Sequence, residues 1–447
     1  MKSLFATAVC AMLALSVVAW RSQADAGKDT RTVLLWTSDD NPTRKGQYGL
    51  FNQEDRQYRV VLDPANAGVE KAIVQSLAGV GPDLIDAYTA FDLGAYVKSG
   101  IAMDLTEELK HRGIDVRRDC FKGILGAAVY DGRVYGVPAD MSVDAVWYHR
   151  DIFAREHVPP PVGHCRWEDL ARLAQRLTLR DHQGRIARYG LLFSFSDWRL
   201  FFRTYGAHVF TPDGAHAAID QPEAIAAVEM MRDLIYRYHV SPSPQDEQSM
   251  SSQGGWGSGT IAWFGADPPR GAMAIGGRWW LAQMRNYKNQ DFGVVESPNG
   301  GVRAYFGYGR ATLINRNSRH LDGALRFLTY LATPMYNRLV NDDADGICAF
   351  RAFAQGKAFD FNPAYPRERD NAVWRTASEL AKPDEASPYV DGATVGRLVS
   401  RQLDLVSNGA KSPAEAMRSA AREIDAEIAK AIADDPALAA RVSGTHN

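Results

Sequence analysis

Short apolar runs separated by polar segments open the chain after residue 30. Residues 31–36 and 58–63 read as buried strands, 68–77 carry apolar residues at helical spacing, and 83–87 return to strand character. The alternation predicts a β-α-β-α-β unit, hence a mainly parallel sheet with helices on both faces and ligand at the loops beyond the strand ends. From residue 130 the texture changes. Asp131-Gly132 is a turn signal, and 134–138 and 143–148 read as two extended segments. Helices are predicted over 167–177, 222–238, 321–331 and 414–433, with strands over 189–195, 271–275, 292–295 and 311–314. The Ser-, Gly-, Pro- and Gln-rich stretch 241–258 reads as an exposed loop.

Ahead of this pattern stands one long apolar run, residues 4–20, preceded by Lys2 and followed by Ala24-Asp25-Ala26. A charged start, an apolar centre and an Ala-x-Ala end predict a secretory signal peptide over 1–26, with an uncleaved anchor as the alternative. Cys10 sits inside the run without the flanking leucine of a lipoprotein signal, and lipidation is set aside. Both readings place the body outside the cytoplasm, periplasmic or otherwise extracytoplasmic. No later stretch approaches the ~18 apolar residues of a spanning helix.

Composition narrows the class further. The 447 residues are 46% hydrophobic and 23% charged, with 51 Lys+Arg against 53 Asp+Glu, which excludes a disordered scaffold and allows two or three domains. The near-neutral balance argues against a nucleic-acid partner. Beyond Cys10 the cysteines are Cys120, Cys165 and Cys348, which allow at most one disulfide and match no zinc spacing.

No phosphate-binding loop, G-x-S-x-G elbow or H-E-x-x-H motif is present. His157, His164 and Cys165 lie close together but fit no ligand pattern, so no metal is expected. Asp39-Asp40 and Asp140/Asp144 keep a secreted glycosidase open as a rival class. The aromatics point elsewhere. Trp36 precedes Thr37-Ser38-Asp39-Asp40, Trp198 sits in Ser196-Asp197-Trp198-Arg199, and Trp279-Trp280 follow Gly276-Gly277-Arg278. An aromatic face against a pyranose, flanked by groups that hydrogen-bond its hydroxyls, is what sugar recognition requires.

The chain resembles the family 1 extracellular solute-binding proteins of ABC importers, the sugar-binding group that includes the maltose-binding proteins. The resemblance rests on Tyr135-Gly136-Val137-Pro138, on Tyr148-His149-Arg150-Asp151-Ile152-Phe153 with Trp167-Glu168-Asp169-Leu170, and on Gly271-Ala272-Met273-Ala274 through Trp279. Gly81-Pro82-Asp83 and the Ser318 to Phe327 segment add to it, so that the ordered blocks span nearly the whole mature chain. His149-Arg150 replaces the usual Asn-Lys, and Arg166 replaces the threonine expected to cap the next helix, leaving that end to a weaker acceptor such as Cys165.

The resemblance implies an α/β, two-lobed periplasmic-binding-protein fold of class II with the ligand cleft between the lobes. The N-terminal lobe would hold 27–140 plus 309–348 and the C-terminal lobe 141–308 plus 349–447, with crossings near 138–143, 308–311 and 345–350. It implies a monomer that binds a small carbohydrate, closes by a hinge and delivers it to the membrane permease subunits of an ABC importer, with no cofactor and no catalytic residue. By position it assigns Trp36, Asp39, Asp40 and Tyr88 to the first lobe's cleft loops, Asp140 and Ser142 to one crossing and Arg310 to another. Asp197, Arg199 and Trp279 fall to the second lobe, and Tyr389 to a C-terminal aromatic over the sugar. Trp279 is the expected stacking ring and Asp197 the expected hydroxyl acceptor. With 39 Arg against 12 Lys, a ligand other than a plain sugar stays open: a polyol, uronate or glycerol phosphoester, with Arg199, Arg278 or Arg310 pairing an anion.

Overall fold

The computed structural model describes residues 29–251, 258–287, 291–435 and 438. The predicted signal peptide, residues 1–26, lies outside the described residues. Among them no helix is long and apolar enough to cross a membrane.

Two five-stranded sheets organise the chain. In the first, strands Tyr58–Leu62, Thr32–Thr37 and Leu84–Ala87 run parallel, as the β-α-β-α-β pattern requires. Strand Ala311–Ile314 then pairs antiparallel with Leu84–Ala87 on one side and with Gly136–Pro138 on the other. The expected mainly parallel sheet is therefore mixed, because this strand enters after the chain has built most of the second sheet and returns from that side.

The second sheet has the order Phe292–Glu296, Ala145–His149, Gly271–Gly276, Ile186–Leu192 and Leu179–Arg180. Both its faces are covered. Ala145, Trp147, Ala274 and Phe292 join one apolar cluster, while Val146, Leu191, Met273 and Ile275 join the other. That is why these strands read as continuous apolar runs rather than alternating ones. A small third sheet of Ser142–Val143, Tyr305–Tyr308 and Ala381–Lys382 lies where the chain passes between the two large ones.

Two sequence expectations need correction, and one open question is answered. The 241–258 stretch contains a helix, Pro244–Ser251, which has no apolar face to announce it. Helix Trp167–Leu177 begins at Arg166 with no side-chain cap; the Trp167 N–H donates instead to the Asn299 carbonyl at 3.3 Å, so neither Arg166 nor Cys165 is needed there. Cys120, Cys165 and Cys348 are all free thiols, with Cys120 and Cys348 buried.

His149, the unusual residue at its position, is fully buried. Its ring stacks on Phe264 at 4.0 Å, and Nε2 lies 2.9 Å from the Phe264 carbonyl. Burial pushes its pKa down to about 4 from an ordinary 6.5, so the folded protein holds fewer protons than the unfolded chain between those values. Stability therefore falls as pH falls through that window, by about 2 kcal/mol from this residue between pH 7 and pH 5. Urea unfolding of His149→Asn and the parent at the two pH values checks this; an equal acid sensitivity in both would refute it.

Candidate functional site

Two adjoining cavities open between the sheets. The larger, of about 620 Å³, is lined on one side by Tyr88 and Thr89, on the other by Asp144, Asp197, Arg199 and Glu247, with Trp279, Phe306 and Tyr308 at its floor. The smaller, of about 280 Å³, continues it past Trp279 and Tyr308 to Asp39, Arg44, Asp140, Ser142 and Asp345. Tyr88, Trp279 and Tyr308 line both, so the two form one cleft.

Local structure fixes each side chain. Tyr88 and Thr89 follow strand Leu84–Ala87, and Thr89 with Asp92 closes a capping box on helix Ala90–Lys98. Asp197 ends a single turn, Phe195–Asp197, where its carboxylate accepts the Ser194 N–H at 2.9 Å. Trp279 stands just beyond strand Gly271–Gly276. Its indole N–H donates to the Tyr308 hydroxyl at 3.1 Å, which donates to Asp144 Oδ1 at 2.7 Å. The ring is thereby pinned at its polar edge.

Burial pushes Asp197 up to about 8, helped by the nearby charge of Asp144, and pushes Asp144 up to about 6 against the Tyr308 hydrogen bond. Glu247, from the helix hidden in 241–258, is also raised by burial and accepts the Ser194 hydroxyl.

The cations of the cleft are already engaged. Arg199 donates from Nε to Asp384 at 2.6 Å, and its guanidinium lies 4.3 Å from the Trp198 ring centre and 4.9 Å from that of Phe91. Arg44 pairs with Asp345 and, at 2.8 Å, with Asp39. Arg310 is completely buried. It meets Asp140 at 3.1 Å, Asp86 at 3.5 Å, the Gln47 side-chain Oε1 at 3.0 Å and the Tyr336 hydroxyl at 2.7 Å. Burial alone would raise Asp345, but Arg44 and Arg310 hold it below its ordinary value, whereas in Asp140 burial outweighs Arg310 and the pKa rises.

Of the sequence-derived residues, Asp39, Tyr88, Asp140, Ser142, Asp197, Arg199 and Trp279 line this cleft. Four do not. Trp36 is fully buried, donating its indole N–H to Asp86 at 3.0 Å and packing on Phe327, so its polar followers marked a strand end and not an open ring. Asp40 is exposed outside both cavities. Tyr389 is 4% exposed in the second apolar cluster, and Arg310 lies beneath the cleft, spent on Asp140 and Asp86. Arg278 is likewise buried, donating to Asn371 Oδ1 at 2.8 Å and the Gly346 carbonyl at 2.5 Å, and burial lowers its pKa to about 10. Sequence reasoning missed Arg44, Glu247, Phe306, Tyr308 and Asp345, and weighed Asp144 only as a catalytic acid. A Tyr-Phe-Gly-Tyr-Gly-Arg run at the second crossing was the available signal for Phe306 and Tyr308.

Two sheets flanking a deep cleft of aromatic rings and carboxylates define a solute-binding protein. The chain belongs to the bacterial extracellular solute-binding proteins, whose family model matches residues 38–338. It is 22% identical over 407 residues to a maltooligosaccharide ABC transporter solute-binding lipoprotein of Streptococcus pneumoniae, covering 85% of this chain and 91% of that one. Its fold is similar to that of an ABC substrate-binding protein of Listeria monocytogenes in complex with cycloalternan, with a TM-score of 0.75 and 18% identity over 89% of this chain and 99% of that one. A Mycobacterium tuberculosis protein in complex with glycerophosphocholine superposes with a TM-score of 0.72 and 15% identity over 89% and 99%.

Proposed function

We propose that this protein is an extracytoplasmic, monomeric receptor that binds a carbohydrate in the cleft and hands it unchanged to the permease subunits of an ABC importer. The single observation that carries the sugar reading is the chamber around Trp279, where an aromatic ring locked by Tyr308 stands among Asp144, Asp197 and Thr89. Stacking on the apolar face of a pyranose and hydrogen bonding its hydroxyls are both available there. Lobes bounded near residues 140, 308 and 348 would close about the crossings, so that the closed form makes contacts from both sides and is selected by ligand.

The phosphoester alternative is disfavoured by charge. Arg199, Arg44 and Arg310 each already face a carboxylate, and an anion would have to displace one. Titration calorimetry against mono-, di- and oligosaccharides, polyols and glycerol phosphoesters tests the reading, and analysis of the recovered ligand tests the absence of turnover. A protein that binds only phosphoesters, or that releases cleaved sugar, would refute it. For whichever saccharide binds, Trp279→Ala should weaken affinity by about 1–3 kcal/mol while leaving the melting temperature of the free protein nearly unchanged.

A further inference from the structure

We propose that the carbohydrate carries a protonated amine, as an amino sugar or aminocyclitol glycoside does, and that the larger chamber prefers it to the neutral saccharide of the same shape. The inference rests on the carbohydrate reading and narrows it. Its basis is the charge arrangement around the cavity. Among the described residues the one cation lining the larger chamber is Arg199, and Asp384 neutralises it at 2.6 Å. Against it stand Asp144, Asp197 and Glu247, delivered by three separate elements: the stretch between strands Ser142–Val143 and Ala145–His149, the turn Phe195–Asp197, and helix Pro244–Ser251. The hydrogen bonds of Asp144 and Asp197 come from neutral donors, the Tyr308 hydroxyl and the Ser194 N–H.

Hydroxyls can donate to these carboxyls but leave their negative charge uncompensated. Two half-buried carboxyls close enough to interact gain more from a group with several N–H donors and a positive charge. An ammonium on a sugar ring supplies both, and the rings of Trp279, Phe306 and Tyr308 beside it favour a cation further. The smaller chamber repeats the bias, with Asp39, Asp140 and Asp345 around Arg44.

Proton linkage separates an amine from a neutral ligand. Asp197 faces Asp144, Glu247 and the Arg199–Asp384 pair, with Tyr88 and Tyr308 across the cavity. An incoming cation favours the charged form of Asp197 and Asp144 and expels protons near pH 7, where both are partly protonated. A neutral sugar buries the carboxyls further and draws protons in.

The test uses matched pairs that differ only at C2: di- and trisaccharides of β-1,4-linked glucosamine and of glucose, with α-1,4-linked pairs alongside. Affinity and proton exchange are measured by calorimetry in buffers of different ionisation enthalpy. We expect the amine member of at least one pair to bind about tenfold or more tighter, with net proton release. Asp197→Asn should remove that advantage, and Asp144→Asn, which keeps the Tyr308 contact geometry, provides a second variant if the first fails to fold. A neutral member that binds equally or better, proton uptake with the amine, or no binding by any amine-bearing member would overturn the inference. Neutral saccharides binding alone would leave the receptor reading intact, whereas no saccharide binding at all would remove both.

Discussion

Replacing Arg310 with methionine is expected to destabilise the protein by about 3–5 kcal/mol at pH 7. The guanidinium is fully buried and is the shared counterion of Asp140 and Asp86, which come from the stretch between strands Gly136–Pro138 and Ser142–Val143 and from a first-sheet strand. Methionine fills similar volume, so the cost comes from leaving two buried carboxylates without their cation and not from a cavity. Arg310 also donates to Gln47, which in turn donates to Asp345 at 2.6 Å, so the loss reaches the Asp345 segment. The penalty should shrink as the pH falls below 7, because burial already raises Asp140 to about 7 and its protonated carboxyl no longer needs a cation. Denaturant unfolding at pH 7 and pH 4.5 measures it; a loss that is small at pH 7, or equal at both, would mean that the network does not hold these segments together.

Gly392→Leu should lower ligand affinity by about a hundredfold, corresponding to overpacking of about 3 kcal/mol. Phe91, on helix Ala90–Lys98 against the first sheet, lies on the first residue of helix Gly392–Ser407, where a Cβ added to Gly392 would stand 2.0 Å from Phe91 Cγ. The same helix sends Lys98 Nζ to the Val390 carbonyl at 3.1 Å. Phe91 also carries the Arg199 guanidinium on its face, so this contact adjoins the wall of the larger chamber. If it forms as the cleft closes, obstructing it taxes binding and spares the unliganded protein. Adding Phe91→Ala to the Gly392→Leu variant should then restore much of the affinity. Unchanged affinity with a fall in melting temperature would instead make the contact a permanent part of the fold.

Both predictions concern pairs that the sequence could not display. Arg310 and Asp140 are 170 positions apart, and Gly392 meets Phe91 from the other end of the chain. Each residue alone is an ordinary side chain with nothing in its neighbours to name its partner. Trp36 failed as a ligand residue for the complementary reason. An indole followed by four polar residues is ambiguous until its N–H finds Asp86 on the neighbouring strand. Glu247 was hidden because a helix without an apolar stripe looks like a loop to any periodicity argument.

What the sequence determined by itself was the set of elements and their kinship. Apolar runs marked most strands of both sheets, with Ile186–Leu192 expected about three residues late and the short Leu179–Arg180 unmarked, and the ordered motif blocks pointed to the solute-binding family that the comparisons bear out. Those signals are local, because strand and helix patterning is written within windows of about ten residues. What only the tertiary structure decided was which charges are spent and which face the cleft. Arg199, Arg278 and Arg310 looked alike as cations available to a ligand, yet one is paired with Asp384 at the cavity wall, one is held by backbone carbonyls and Asn371, and one is buried under Asp140. Burying a charge requires a partner, the partner comes from whatever distant segment the fold brings near, and so the electrostatic character of the site is a property of the assembled chain.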